Sequence, residues 1–474
     1  MKNHHAALSI LLLVLVTSVP AALAQETCQA VQVIDPCAQQ VYVLRPGSSA
    51  YARVDLRDGG TNKLRDVAFS TVPGEEHSTS FIAQGHYVRV LAYDHDGSWE
   101  VSRTVDVSAF PGVGRMMLVG AAAAPGHAIH DSSGAKTMQY SIYFVGARYG
   151  EPYWIALDQE ALLSGAPDTE VLVGHGPLCG VGEACEGDAN SAVVVRDADG
   201  GETLYATILV EESPGNLRER IGVLSRAQGE TSSWSFSWNA AADGLDWNGL
   251  LPNHLGIASG LAGDVLAAFQ AEGVIKDART GASSCVHDGA PTDVALWGPT
   301  STAPAFQFVT ENDPALQGSL SIAPLLACPD VQDPRTDVRP VGQRAVSVAL
   351  STASGPRVWA IVANQDGSGV SMSAWSLATD PAPIHFEEDI AASRDVVLGN
   401  CSDPPCVKRV AIGAPFPAGE ACFDAGLVEM ECWQPAHPEP PLPCCLDPDD
   451  PDPNCDDCDT PASPPGDGFR RGIR

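Results

Sequence analysis

Six short apolar stretches recur along this chain and constrain its fold more than any other feature. They are Tyr87–Asp94 (YVRVLAYD), Tyr140–Ala147 (YSIYFVGA), Leu204–Glu211 (LYATILVE), Val265–Glu272 (VLAAFQAE), Val358–Gln365 (VWAIVANQ) and Arg409–Phe416 (RVAIGAPF). Their starts are 53, 64, 61, 93 and 51 residues apart. The sequence between them breaks into further short apolar runs cut by Gly, Pro, Asp and Asn, the pattern of strands joined by turns. Helical spacing is confined to Asp158–Leu163. The chain therefore reads as all-β.

The surroundings of these stretches also recur. Strands of small residues precede them at Val193–Arg196, Leu255–Ser259, Val346–Leu350 and Val396–Gly399. Aromatic-bearing hairpins follow: Val223–Ser225 with Trp234–Trp238, Val294–Trp297 with Ala305–Val309, and Ser373–Leu377 with Ile384–Phe386. Several strands per unit, repeated every 40–60 residues, predict a β-propeller, with small side chains crowding the axis and bulky ones outside. The expectation is about six four-stranded blades, with five or seven in range; a strand near Tyr51–Leu56 closes the ring. The long interval contains Asp313–Pro340, which reads as an inserted loop. Tandem β-sandwiches are the rival architecture. From Gly47 to Trp433 the chain resembles secreted bacterial β-propeller repeat proteins in architecture, although no Asp-box, WD dipeptide or kelch double glycine with its aromatic partner is present.

The N-terminus sets the compartment. Lys2 precedes an apolar run from Leu8 to Val16, Pro20 breaks it, and Ala22-Leu23-Ala24 supplies small residues before Gln25. This is the form of a secretory signal peptide with cleavage near Ala24, and its apolar run is too short to span a bilayer. Residues 1–24 are read as that signal, 25–46 as a disulfide-linked N-terminal segment, 47–433 as the propeller and 434–474 as a disordered Pro/Asp/Cys-rich tail. The 14 cysteines suit an oxidising exterior, extracellular or periplasmic. Proximity pairs Cys28 with Cys37, Cys179 with Cys185, Cys285 with Cys328, Cys401 with Cys406 and Cys422 with Cys432. Cys444, Cys445, Cys455 and Cys458 are left to the tail.

Charge excludes some partners. With 59 acidic residues against 27 Lys and Arg, the formal charge is −32. From Gln434 onward, nine carboxylates face three arginines, so most of the acidity coats the folded part. Such a surface repels nucleic acid and other polyanions. A neutral glycan or a protein is the partner to expect, bound by a monomer with no membrane span.

Chemistry-bearing groups are few. His127, His130 and Asp131 lie close together, and His175, His254, His287 and Asp288 lie in probable interstrand loops, which a propeller gathers at its ends. Asp447, Asp449, Asp450 and Asp452 form the densest carboxylate cluster, whose oxygens suit Ca²⁺. No other cofactor is expected. Nucleophile elbow, zinc-protease and phosphate-loop motifs are absent from the sequence. The resulting expectation is a secreted binding or structural module of unknown ligand. The alternatives are an extracellular glycoside hydrolase or lyase and a calcium-dependent surface protein.

Overall fold

The structure is a computed structural model, and it describes residues 29–429 apart from short loop segments and the stretches 248–255, 329–336, 390–396, 399–408 and 416–427. Its strands form seven blades rather than about six. Blade 1 contains Leu64–Phe69, Thr79–Gln84, Tyr87–Tyr93 and Trp99–Asp106. Blade 2 contains Met116–Ala123, Ser141–Arg148, Glu151–Asp158 and Leu172–Pro177. Blade 3 contains Glu186–Arg196, Glu202–Ser213, Asn216–Arg226 and Ser235–Trp238. Blade 4 has three strands, Ile257–Ser259, Val265–Phe269 and Val274–Asp277. Blade 5 contains Ala290–Trp297, Phe306–Asn312, Gly318–Pro324 and Asp337–Val338, and blade 6 contains Gln343–Ser351, Arg357–Asn364, Val370–Ala378 and His385–Asp389.

The seventh blade joins the two ends of the described chain. Arg409–Pro415 is its innermost strand and pairs antiparallel with Gln29–Asp35, which leads to Gln40–Leu44 and Ala50–Asp55. Residues 29–44, set apart in the sequence as a separate segment, thus supply two strands of the closing blade. The first strands of all seven blades pack one against the next until blade 7 meets blade 1. Seven apolar clusters fill the seven gaps between blades, with Phe81, Leu118 and Phe144 typical of the first and Leu44, Val410 and Trp359 of the sixth. This ring of cores excludes the tandem-sandwich alternative.

The extra blade explains the long interval between repeats. Blade 5 occupies it: Gly318–Pro324 is a strand inside the segment read as an inserted loop. Its innermost strand, Ala290–Trp297, carries bulky Leu296 and Trp297, so it reads as an outer strand from sequence. Val396–Gly399 departs from its reading too. Val397–Leu398 pairs with the third strand of blade 6 and is not the inner strand of blade 7.

A local device repeats at the axis. The innermost strands of blades 1, 2, 3, 5 and 6 each carry one extra residue: Arg65, Val119, Asn190, Thr292 and Val346. Such a bulge bends the strand and re-aims the side chain after it. In blade 1 that side chain is Asp66, whose Oδ2 accepts the Ala121 N–H of blade 2 at 2.9 Å while Oδ1 accepts the Val67 N–H at 2.9 Å. In blade 5 it is Asp293, whose Oδ2 accepts the Val348 N–H at 3.1 Å and the Ser347 O–H at 2.8 Å in blade 6. In blade 2 it is Gly120, where a Cβ would stand 2.9 Å from the Ser191 Cα of blade 3. Each device lets the next blade's backbone come close. Replacing Asp66 or Asp293 by alanine should cost about 1–3 kcal/mol in chemical denaturation, because a buried N–H of the next blade loses its acceptor. An Asp→Asn change at the same position should cost less.

Candidate functional site

The candidate histidines do not converge. His127 and His130 belong to an extra hairpin, His127–His130 with Lys136–Gln139, that follows the innermost strand of blade 2. They therefore lie at the trailing end of the inner strands. His175 lies at the leading end, beside the Arg148–Glu151 turn whose Arg148 pairs with Met116, the first residue of that inner strand. His287 is also at the leading end, but between blades 4 and 5. Asp131, His254, Asp288 and the tail aspartates Asp447, Asp449, Asp450 and Asp452 lie outside the described residues. Among the described residues, no group of three or more His, Cys, Asp or Glu side chains is placed to hold a metal ion.

His127 is an interior residue. It has no exposed surface, and its Nε2 lies 3.1 Å from the Glu230 carbonyl of blade 3, to which it can donate. Burial, followed by the nearby Arg226 cation, holds its pKa below the ordinary histidine range, so it stays neutral. Beside it lies a closed polar cluster. Arg226 and Glu202 form an enclosed ion pair, Tyr143 donates its O–H to Glu202, and the Trp234 Nε1–H reaches the Tyr143 oxygen at 3.2 Å. His130 is exposed on the same hairpin.

His287 takes part in a relay-like trio. Its Nδ1 lies 2.6 Å from Glu311 Oε1, and its Nε2 lies 3.4 Å from the Ser284 hydroxyl oxygen. The order resembles Ser-His-acid catalysis. However, the Ser284 O–H points at the Cys285 carbonyl, 2.8 Å away, while its oxygen accepts the Ile275 N–H at 3.0 Å. Ser284, His287 and Glu311 are all buried. The trio braces the segment 282–287, which runs along the third strand of blade 4: Ser284 N–H donates to the Ile275 carbonyl and His287 N–H to that of Gly273. Cys285 ties this segment to Cys328 of blade 5. The second disulfide, Cys179–Cys185, closes the connection from blade 2 to blade 3. The other ten cysteines (Cys28, Cys37, Cys401, Cys406, Cys422, Cys432, Cys444, Cys445, Cys455 and Cys458) lie outside the described residues.

His175 is half-buried and lies at an accessible corner. The blade 2 hairpin turns through Tyr149 and Gly150, both at positive φ, 52° and 82°. Asn-Gly or Asp-Gly is the usual pair there, and a tyrosine in this region is strained by about 1 kcal/mol. Tyr149 is 76% exposed. The Arg148 guanidinium lies 5.5 Å from the Tyr149 ring centroid and 4.9 Å from that of Tyr153. The Tyr153 hydroxyl is 2.8 Å from His175 Nδ1, and the two rings stack. The tyrosine hydroxyl can donate to Nδ1 of the neutral ring. Burial, then Arg148, lowers the His175 pKa. Sequence reading found His175 but missed Arg148, Tyr149 and Tyr153. The signal was a Tyr-Gly pair in a two-residue hairpin where the chain would normally place Asn-Gly.

No known family profile matches the chain, and no curated protein matches it in sequence. Among solved structures it is similar to a chain of a mitotic checkpoint complex, at 12% identity and a TM-score of 0.38, over 81% of this chain and 98% of that one. It is also similar to the WD40 domain of SCAP from fission yeast (11% identity, TM-score 0.29, covering 79% of this chain and 90% of that one). A quinonprotein alcohol dehydrogenase-like protein from Bacteroides thetaiotaomicron is similar at 7% identity and TM-score 0.27, over 77% of this chain and 85% of that one. The propeller assignment rests on the sheet order and the closed ring of inner strands.

Proposed function

We propose that this chain is exported, loses residues 1–24 and works outside the cytoplasm as a monomeric β-propeller that binds a partner at an end face. The observation that carries this reading is the contrast between its polar groups. The relay-like trio at Ser284, His287 and Glu311 is enclosed and its hydroxyl proton is committed, whereas Tyr149 is held out to solvent at a strained turn. Strain kept at an exposed position points to use of that position. The two disulfides and the lack, among the described residues, of a helix long and apolar enough to cross a membrane are in keeping with an exterior location.

Expression of the full chain in a Gram-negative host, followed by N-terminal sequencing of the exported fraction, tests this. The expected result is a mature chain beginning at Gln25 that elutes as a monomer. An uncleaved chain retained in the cytoplasm would overturn the compartment.

A further inference from the structure

We propose that the blade 2 corner formed by Arg148, Tyr149, Tyr153 and the Gly112–Arg115 connection is a binding site for a neutral glycan. It rests on the end-face binding reading above and gives it a location and a ligand class. Three observations point here. The first is that the exposed aromatic is fixed. Its backbone is set by the positive-φ turn, and its hydroxyl oxygen lies 3.5 Å from the Arg115 N–H. The Arg148 guanidinium stacks against its ring. A ring fixed before binding loses little conformational entropy on contact, which raises affinity without further contacts. An apolar residue held at such a turn and left 76% exposed adds nothing to the core.

The second observation is how closely the neighbouring connection is fitted to this ring. Gly114 has a φ of 65°, and a Cβ there would stand 2.8 Å from the Tyr149 hydroxyl. Gly112 has a φ of 81°, and a Cβ there would lie 3.1 Å from the His175 ring. Glycine at both positions keeps the connection low against Tyr149 and His175, so the ring stands clear of it. Below the ring, the Tyr153 hydroxyl lies 2.8 Å from His175 Nδ1, and the Arg148 guanidinium lies 4.9 Å from the Tyr153 ring centroid.

The third observation is charge. A polyanionic ligand would meet the field of a chain carrying −32. A flat aromatic face offers an apolar platform to the C–H face of a pyranose, and exposed Arg115 beside it offers hydrogen-bond donors to hydroxyls. Uncharged sugar units satisfy both without opposing that field.

The test uses the mature full chain and defined neutral hexasaccharides of cellulose, xylan, mannan, laminarin and chitin types, with binding read by calorimetry. The proposal expects saturable binding of at least one of them. Tyr149→Ala and Gly114→Val should weaken it by about tenfold or more, while Tyr149→Phe should keep it within about threefold, with melting temperatures unchanged for both Tyr149 variants. Binding that Tyr149→Ala leaves intact overturns this site while leaving the end-face module standing. Failure of all five sugars to bind the wild-type chain at millimolar concentration overturns the glycan assignment, as does saturable binding of a protein partner with none of the sugars.

Discussion

Replacing Arg226 with methionine is expected to destabilise the fold by about 3–5 kcal/mol, measured by chemical denaturation at neutral pH. The Arg226 side chain is fully enclosed and that of Glu202 is 3% exposed, so neither charge is screened by water. Arg226 also donates to Gln139 Oε1 at 2.8 Å, the Thr231 carbonyl at 3.3 Å and Ser141 Oγ at 3.3 Å, and its guanidinium lies over the Trp234 ring. These contacts link the third strand of blade 3 to the extra hairpin and second strand of blade 2. Without the cation, the Glu202 carboxylate is left in an apolar enclosure with Tyr143 as its hydrogen-bond donor. Breaking one half of a buried pair costs more than removing both halves, because the orphaned charge keeps its desolvation penalty. The double change Glu202→Gln with Arg226→Met should therefore recover most of the loss. A double variant as unstable as the single would show that the stacking and the neutral hydrogen bonds, and not the ion pair, hold these blades together.

The parts of the fold legible in the sequence are those that depend on side-chain pattern. Each of the six strong strands falls in a different blade, and those in blades 2, 3 and 4 read as continuous apolar runs because both their faces are buried. The short helix Gln159–Leu163 was legible through Asp158, which caps it by accepting the Ala161 N–H at 2.9 Å. The pairs Cys179–Cys185 and Cys285–Cys328 were legible from proximity and elimination.

Blade 5 was hidden by its size pattern, although the inner strands share a short signature. It reads Arg65-Asp66-Val67-Ala68-Phe69 in blade 1, Thr292-Asp293-Val294-Ala295-Leu296 in blade 5 and Val346-Ser347-Val348-Ala349-Leu350 in blade 6. Leu255-Gly256-Ile257-Ala258-Ser259 in blade 4 and Val119-Gly120-Ala121-Ala122-Ala123 in blade 2 are further copies. The second position takes Asp, Ser or Gly, three residues that no hydropathy pattern groups together. What unites them is a role at the contact between inner strands: Asp66 and Asp293 accept from the next blade's backbone, Gly120 and Gly256 leave room for it, and Ser347 donates to Asp293 of the preceding blade. Such a rule shows only in three dimensions, and the same holds for the site. Tyr149 is notable because of its φ and exposure, and His175 gains a role only through Tyr153, which the fold brings to it from the neighbouring strand.

The wild-type chain is expected to lose stability as pH rises from about 4.5 to about 8, and Glu219→Gln is expected to remove that loss. Glu219 sits on the third strand of blade 3, 1% exposed, and its Oε1 accepts the Gln270 and Ala271 N–H groups of the blade 4 turn at 3.1 and 3.4 Å. Its Oε2 has no hydrogen-bond partner. The nearest cation is engaged elsewhere: Lys276 Nζ donates to Glu272 and to the Asp243 carbonyl, both at 2.7 Å. Burial therefore dominates and pushes the Glu219 pKa from 4.5 up to about 8. Below pH 4.5 the carboxyl is protonated in both folded and unfolded chains, and burial carries no ionic penalty. Between these values only the unfolded chain releases the proton, so unfolding becomes steadily easier; above about 8 both states are ionised and the trend stops. Over that window this one group removes roughly 5 kcal/mol. Glutamine keeps the acceptor for Gln270 and Ala271 but cannot ionise. Denaturation of both chains across pH 4–9 should give curves that nearly meet at the acid end and separate in favour of the variant as pH rises. A constant gap across the whole range would mean that Glu219 ionises in the folded chain as it does in the unfolded one.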